Sequence, residues 1–161
     1  LKKTGQMTKK SKNLINMWSV DATCTSILSE SSPVGSADLV RDGFDSSAPW
    51  FFVLIAECAG AVVGHALCNR AYSSWTRRAF YVEDLYVRPE ARRRRVGLRL
   101  LQELCRVRSE QPRVDWHVLE SNAPALGFYR KLGARDLRVS EGRAAMRLDD
   151  PQIQALALEQ A

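Results

Sequence analysis

No apolar run in this 161-residue chain approaches the roughly 20 residues that a membrane-spanning helix needs. The first residues are basic and polar, where a secretory signal would be apolar. A cytoplasmic or nuclear protein is the default expectation, and the cytoplasm is taken here. The four cysteines, Cys24, Cys58, Cys68 and Cys105, include no CxxC pair. With only His65 and His117 to join them, no zinc-ligand spacing arises. Free, mostly buried thiols and no metal are therefore expected. Acidic residues are missing from the first 20 positions, where Lys2, Lys3, Lys9, Lys10 and Lys12 supply most of the net charge of +6. The pI of about 9.4 thus describes a basic tail and one Arg cluster, not a nucleic-acid-binding face.

What remains is an ordinary globular composition, 45% hydrophobic and 26% charged, on a chain long enough for one domain with a substantial core. Residues 1–18 read as a mobile tail, 19–150 as the domain and 151–161 as a short tail helix opened by Pro151. A weak helical stretch is expected over 20–29. Ser36 is placed as the N-cap of a short helix, with Asp38 in its first turn and Gly43 near its end. Trp50 to Glu57 predicts a buried strand, Cys58-Ala59-Gly60 a turn, and Ala61 to Arg70 a second strand. A third, Ala79 to Val87, stops at Arg88-Pro89. The apolar spacing then turns helical from Val96 to about Ser109. Val114 to Leu119 reads as a strand, and Asn122 as the cap of a helix that Gly133 closes. Two short strands, Ala134 to Val139 and Arg143 to Leu148, complete an α/β order with three strands in an antiparallel meander.

The chemistry concentrates where strand, basic turn and helix succeed one another, from Val82 through Arg88–Gly97 into the helix. A helix N-terminus offers unpaired N–H groups and a positive dipole end, which suit a phosphate. Arg92, Arg93, Arg94 and Arg95 add forked donors beside it. The anion can belong to a nucleotide, to CoA or to a nucleic-acid backbone, and a solvated Arg cluster is the plain alternative. Tyr129 lies seven residues after Asn122, two helical turns on, so both can face one cleft; from the residues alone a core role on an amphipathic helix suits Tyr129 better. Glu83 alternates with Tyr81 and Leu85 on one strand face, an odd place for a carboxylate unless it lines a cavity. Asp84 faces the other way, as a structural hydrogen-bonder. His65 and His117 read as strand residues without an assigned role.

The run EDLYVRPEARRRRVGLRLL resembles the cofactor motif of the GNAT acetyltransferase superfamily, whose loop follows (Gln/Arg)-x-x-Gly-x-Gly. SNAPALGFYRKLGA is similar to that superfamily's second cofactor segment, in order and at the spacing of one helix and one strand. LVRDGFDSSAPWFFVLIAE, AYSSW, FYVEDLYV and GARDLRVSEG resemble the spermidine/spermine N-acetyltransferase group and its thialysine-acetylating relatives, over roughly Leu39 to Leu148. The resemblance implies the GNAT fold, a mixed, mostly antiparallel sheet flanked by helices. It also implies acetyl-CoA as donor, a primary amine (diamine, polyamine or thialysine-like) as acceptor, and a homodimer. Leu85, Tyr86 and Val87 would pair with the pantetheine arm, and Arg92 to Arg95 with Val96, Gly97 and Leu98 would wrap the pyrophosphate. Asn122 and Ala125 would hold the later part of the cofactor, with Tyr129 beside the thioester sulfur. Glu83, Trp75 and Glu141 would meet the amine. A glutamate and an alkylammonium differ by roughly 8 kcal/mol in proton affinity at their reference values. Glu83 would therefore act as base only through water, on an amine whose own pKa is lowered by desolvation. A phenol at Tyr129 would protonate or hydrogen-bond the departing thiolate.

The chain departs from the family in three places. Arg93 and Arg95 stand where the loop carries glycine, and only Gly97 keeps its place; a left-handed Arg costs roughly 1–2 kcal/mol. Ser73 replaces an acid after Tyr72, and Arg143 an aromatic near Gly142, which disfavours a polyamine. The Lys-rich N-terminus shows no strand alternation, so the first strand is expected to be missing or divergent. Two other readings follow: a catalytically weak relative that binds CoA or a protein partner, and a binder of nucleic acid or an acidic partner through the Lys tail and Arg cluster. No interleaved aromatic platform supports the latter.

Overall fold

Phe51 to Cys58 is a compact apolar run, and a sheet is built around it. The structure, a computed structural model, describes residues 15–16, 35–107 and 113–158. Its contacts fall into two units, residues 1–117 and residues 118–161. In the first, five strands lie side by side in chain order: β1 (Ile15–Asn16), β2 (Phe51–Cys58), β3 (Ala61–Ser73), β4 (Arg77–Val87) and β5 (Val114–Trp116). β1 to β4 pair antiparallel, and β5 joins β4 in parallel. The mixed, mostly antiparallel α/β sheet expected from the sequence is present.

One strand was not anticipated. Ile15 and Asn16, inside the stretch read as tail, pair with Ala56 and Ile55 of β2. Two residues suffice because strand pairing needs main-chain groups, not an alternating side-chain pattern. The rest of that stretch and the helix expected over 20–29 lie outside the described residues.

Helix α1 (Ser36–Gly43) starts one residue earlier than expected, with Gly35 as its cap and no side-chain cap bond. It brings Leu39 onto one sheet face, where Val53, Ile55, Val62 and Leu67 complete a buried cluster with Phe44 and Phe51 against it. A Cβ on Gly43 would lie 2.4 Å from the Phe51 ring, so this helix end and β2 meet only because residue 43 has no side chain. Helix α2 (Val96–Val107) packs against β2, β3 and β4 with Leu100, Leu101 and Leu104 buried. Leu54, Ala66, Cys68, Phe80 and Val82 are buried too, out of phase with the α1 cluster along β2 and β3. The β2–β3 turn puts both Ala59 (φ 53°) and Gly60 (φ 79°) in the left-handed region, the twist that two-residue hairpins favour.

In the second unit, α3 (Ala123–Lys131) is capped as expected: the Asn122 side chain accepts from the Ala125 N–H. Gly133 (φ 85°) closes it, with the Gly133 and Ala134 N–H groups donating to the carbonyls of Arg130 and Tyr129 in a Schellman arrangement. The two strands expected next do not form. Asp136 accepts from the Arg138 N–H and turns the chain into the short helix α4 (Leu137–Glu141), which Gly142 ends in a left-handed conformation. A side chain that bonds its own backbone competes with a strand ladder. Residues 143–148 are exposed and pair with no described strand. Helix α5 (Asp150–Leu158) follows as expected.

Cys68 has no exposed surface, and burial pushes its thiol up to about 12. Cys58 is half-buried and Cys105 exposed. At pH 8.5 a thiolate-selective alkylating agent should modify Cys105 readily and Cys68 only on unfolding, read by peptide mass spectrometry. Because the raised pKa belongs to the folded chain, stability should fall as pH rises from the ordinary thiol range toward 12.

Candidate active site

Strand β4 is anchored along one edge and released along the other. With β3 it pairs from Arg77 through Val87. With β5 it pairs only at Phe80–Val114, Tyr81–Asp115 and Val82–Trp116. Among the described residues no strand covers the β5 side of Glu83 to Val87, so main-chain groups of Leu85, Tyr86 and Val87 remain for an extended ligand to meet. One of them, the Val87 carbonyl, accepts from Arg92 Nε at 2.9 Å.

Glu83 interrupts the ladder. Leu67 pairs with Asp84 and Cys68 with Val82, which leaves Glu83 unpaired in a β-bulge with its side chain exposed. The simple alternation expected of Tyr81, Glu83 and Leu85 is therefore broken, and the bulge re-aims the carboxylate. Asp84 takes the structural part expected of it: its Oδ2 lies 2.9 Å from Nε2 of His65, which is fully buried. The His65 ring lies 5.7 Å from that of Tyr86, across the strand pair. His65, without a role in the sequence reading, thus ties β3 to the segment just after the bulge.

Beyond β4, Pro89–Ala91 forms a single 3-10 turn, and Arg92 is extended. Arg93 (φ 59°) and Arg95 (φ 63°) are both left-handed. These are the two positions where the family resemblance implies glycine. The Arg95 carbonyl accepts from the Arg99 N–H as the first helical bond, so the N–H groups at the start of α2 have no intrahelical acceptor. Arg92 to Arg95 are all exposed. Unpaired N–H groups, a helix dipole and a guanidinium cluster make an anion-binding turn. A cationic or hydrophobic ligand has no partner in it.

At the far end of β4, Trp75 sits exposed in the turn to β3, its backbone N–H donating to Ser73 Oγ at 3.2 Å. In the second unit, Asn122, Ala125 and Tyr129 lie on or at the start of α3, with the Tyr129 ring 5.2 Å from that of Phe128. The Asn122 side-chain oxygen is already engaged in the helix cap. Glu141 is also engaged, 3.0 Å from Arg135 and 2.8 Å from Arg143. A carboxylate between two guanidiniums is a poor anchor for a further cation.

A family profile described as the Acetyltransferase (GNAT) family matches residues 16–134. The chain belongs to the GNAT acetyltransferase family. It is 33% identical over 140 residues to the thialysine N-epsilon-acetyltransferase of Sus scrofa, covering 81% of this chain and 82% of that one. It is 30% identical over 148 residues to the human spermidine/spermine N(1)-acetyltransferase-like protein 1, covering 86% of this chain and 21% of that one. An integron cassette protein from the V. cholerae mobile metagenome shares the fold, with a TM-score of 0.75 at 21% identity over 93% of this chain and all of that one. In this GNAT chain no described helix is long and apolar enough to cross a membrane.

Two substitutions probe the frame. A Cβ on Gly64 would stand 2.7 Å from the Tyr86 carbonyl oxygen and 3.3 Å from Val87 Cα. Gly64→Ala should destabilise the fold by about 1–3 kcal/mol, the range for overpacking, seen as a lower denaturant midpoint. Arg95→Gly should instead stabilise by about 1 kcal/mol by relieving a left-handed side chain. Arg95→Ala keeps a Cβ and should not, so the two melting curves separate strain from charge.

Proposed function

We propose that this GNAT protein transfers the acetyl group of acetyl-CoA to a primary amine of a small molecule. The observation that carries the reading is the loop at Arg92–Gly97. Its backbone takes the left-handed shape of a glycine loop although arginines occupy it. A weak or inactive relative, which the lost glycines suggested, is not favoured, because the substitutions left the turn's shape in place and added charge.

Acetyl-CoA supplies the activated acyl group and a thiol leaving group. In this reading the open edge at Leu85, Tyr86 and Val87 aligns the pantetheine, and Arg92 to Leu98 enclose the pyrophosphate. Asn122 and Ala125 meet the later part of the donor. An alkylamine arrives as an ammonium and must lose a proton before it attacks; Glu83, freed from the ladder by the bulge, accepts it through water. Tyr129 donates to the departing sulfur. Trp75 and Glu141 border the acceptor. Glu141 is already neutralised by Arg135 and Arg143, and Ser73 stands where the family carries an acid, so a thialysine-like or monoamine acceptor suits the site better than a polyamine. A cytoplasmic homodimer remains part of the proposal.

The test is acetyl-CoA-dependent thiol release with thialysine, lysine, ornithine, putrescine and spermidine. Turnover should be highest with the amino-acid acceptors, and Tyr129→Phe or Glu83→Gln should lower kcat by roughly 100-fold, the size of a lost acid–base group. A folded protein that acetylates none of the five would overturn the reading.

A further inference from the structure

Toward the start of β4, one sheet face changes from apolar to aromatic and basic. Phe52 and Phe80 pack on that face with ring centroids 5.2 Å apart. Side chains alternate along a strand, so the same face continues outward through Arg70 and Tyr72 of β3 and Arg78 of β4. Arg70 stands opposite Phe80, and Tyr72 opposite Arg78. One step past the Phe51–Asn69 pair, Trp50 falls beside Arg70 and diagonal to Tyr72, about 7–8 Å away. Each aromatic thus has a cation across the strand from it. Both rings are open to solvent, Trp50 at 79% and Tyr72 at 74%, and both arginines are exposed. The Trp50 main chain is nonetheless fixed, its N–H donating to the Asp42 carbonyl at 3.1 Å. Neither Arg70 nor Arg78 pairs with a described carboxylate, and Asp115 of neighbouring β5 is held by Arg113 at 2.7 Å.

We propose that this face binds single-stranded nucleic acid, with bases stacked on Trp50 and Tyr72 and phosphates met by Arg70 and Arg78. Exposed aromatics on adjacent strands of an open sheet face are a platform for unpaired bases, and flanking arginines hold the backbone. A partner made of flat rings strung on phosphates satisfies all four side chains at once. An acidic peptide would answer the arginines and leave the rings in water, whereas a duplex hides its base faces. No stretch of the sequence interleaves aromatics with cations in this way; strand register assembles the set from residues 50, 70, 72 and 78. The surface is separate from the anion-binding turn at Arg92–Gly97. The length of β4 from Arg78 to Val87 lies between them, roughly 30 Å at the rise of a strand. The proposal therefore stands apart from the acetyl-transfer reading.

Fluorescence anisotropy of a labelled oligothymidylate of about 12 nucleotides, titrated with the full chain, tests it. Binding should be about micromolar at low salt and weaken as salt is added. Trp50→Ala and Tyr72→Ala should each raise Kd about tenfold, the size of one lost base stack. Trp50→Phe and Tyr72→Phe, which keep a ring, should stay within threefold of wild type. Arg70→Gln should lower the salt slope by about 0.7, the share of one single-strand phosphate contact. The matching duplex should bind at least tenfold more weakly, and excess CoA should leave the oligonucleotide bound. The substituted side chains are exposed, and a thermal melt of each variant checks that the fold is kept. No binding by wild type would overturn the proposal. Alanine effects below threefold would overturn it too, by assigning the binding to the lysines near the N-terminus. Displacement by CoA would move the site to the Arg92–Gly97 turn. Competition by polyglutamate equal to that of unlabelled oligothymidylate at matched charge would replace the nucleic acid with an acidic protein.

Discussion

At Gly64 the backbone of β3 comes so close to β4 that an added Cβ would lie 2.7 Å from the Tyr86 carbonyl oxygen. Much of what positions chemistry in the first unit depends on that contact. It holds the end of β4 firmly to β3, so the other edge of the same segment can stay open after β5 stops at Trp116. His65, buried beside Gly64 and bonded to Asp84, reinforces the hold. Its Nδ1 is buried and has no hydrogen-bond partner among the described residues. A strand fixed on one side and released on the other is the frame that an extended ligand needs.

The loop that follows joins strain to charge. Arg93 and Arg95 sit in a backbone region that costs an L-residue about 1–2 kcal/mol each. That cost persists only where surrounding structure imposes the shape, and here β4 on one side and α2 on the other fix both ends of the turn. The same residues concentrate positive charge at a helix N-terminus, where an anion would offset the repulsion among them. In the second unit cations again outnumber the anion they meet, for Glu141 is paired with both Arg135 and Arg143.

Much of this was legible in the chain. The meander, the α2 stripe of Leu100, Leu101 and Leu104, the Asn122 cap and the Gly133 stop are set by neighbours in sequence, and all appear where periodicity and capping chemistry put them. Ala134–Val139 failed because Asp136 found a nearer hydrogen bond than any strand could offer. Arg143–Leu148 carries strand spacing, yet a strand needs a partner, and spacing says nothing of one. Ile15–Asn16 failed in the opposite sense: its partner, the edge of β2, lies about 40 residues away.

The sequence by itself determined the cofactor-loop lineage, through two motifs in order, and predicted strain at Arg93 and Arg95 from the glycines missing there. Local conformation and residue chemistry are enough for both. Only the tertiary structure decided that Glu83 bulges out of β4, that Asp84 holds His65, and that Tyr81 meets His117 across 36 positions of chain. Those pairings depend on strand register, and one slipped or extra residue changes which side chains meet.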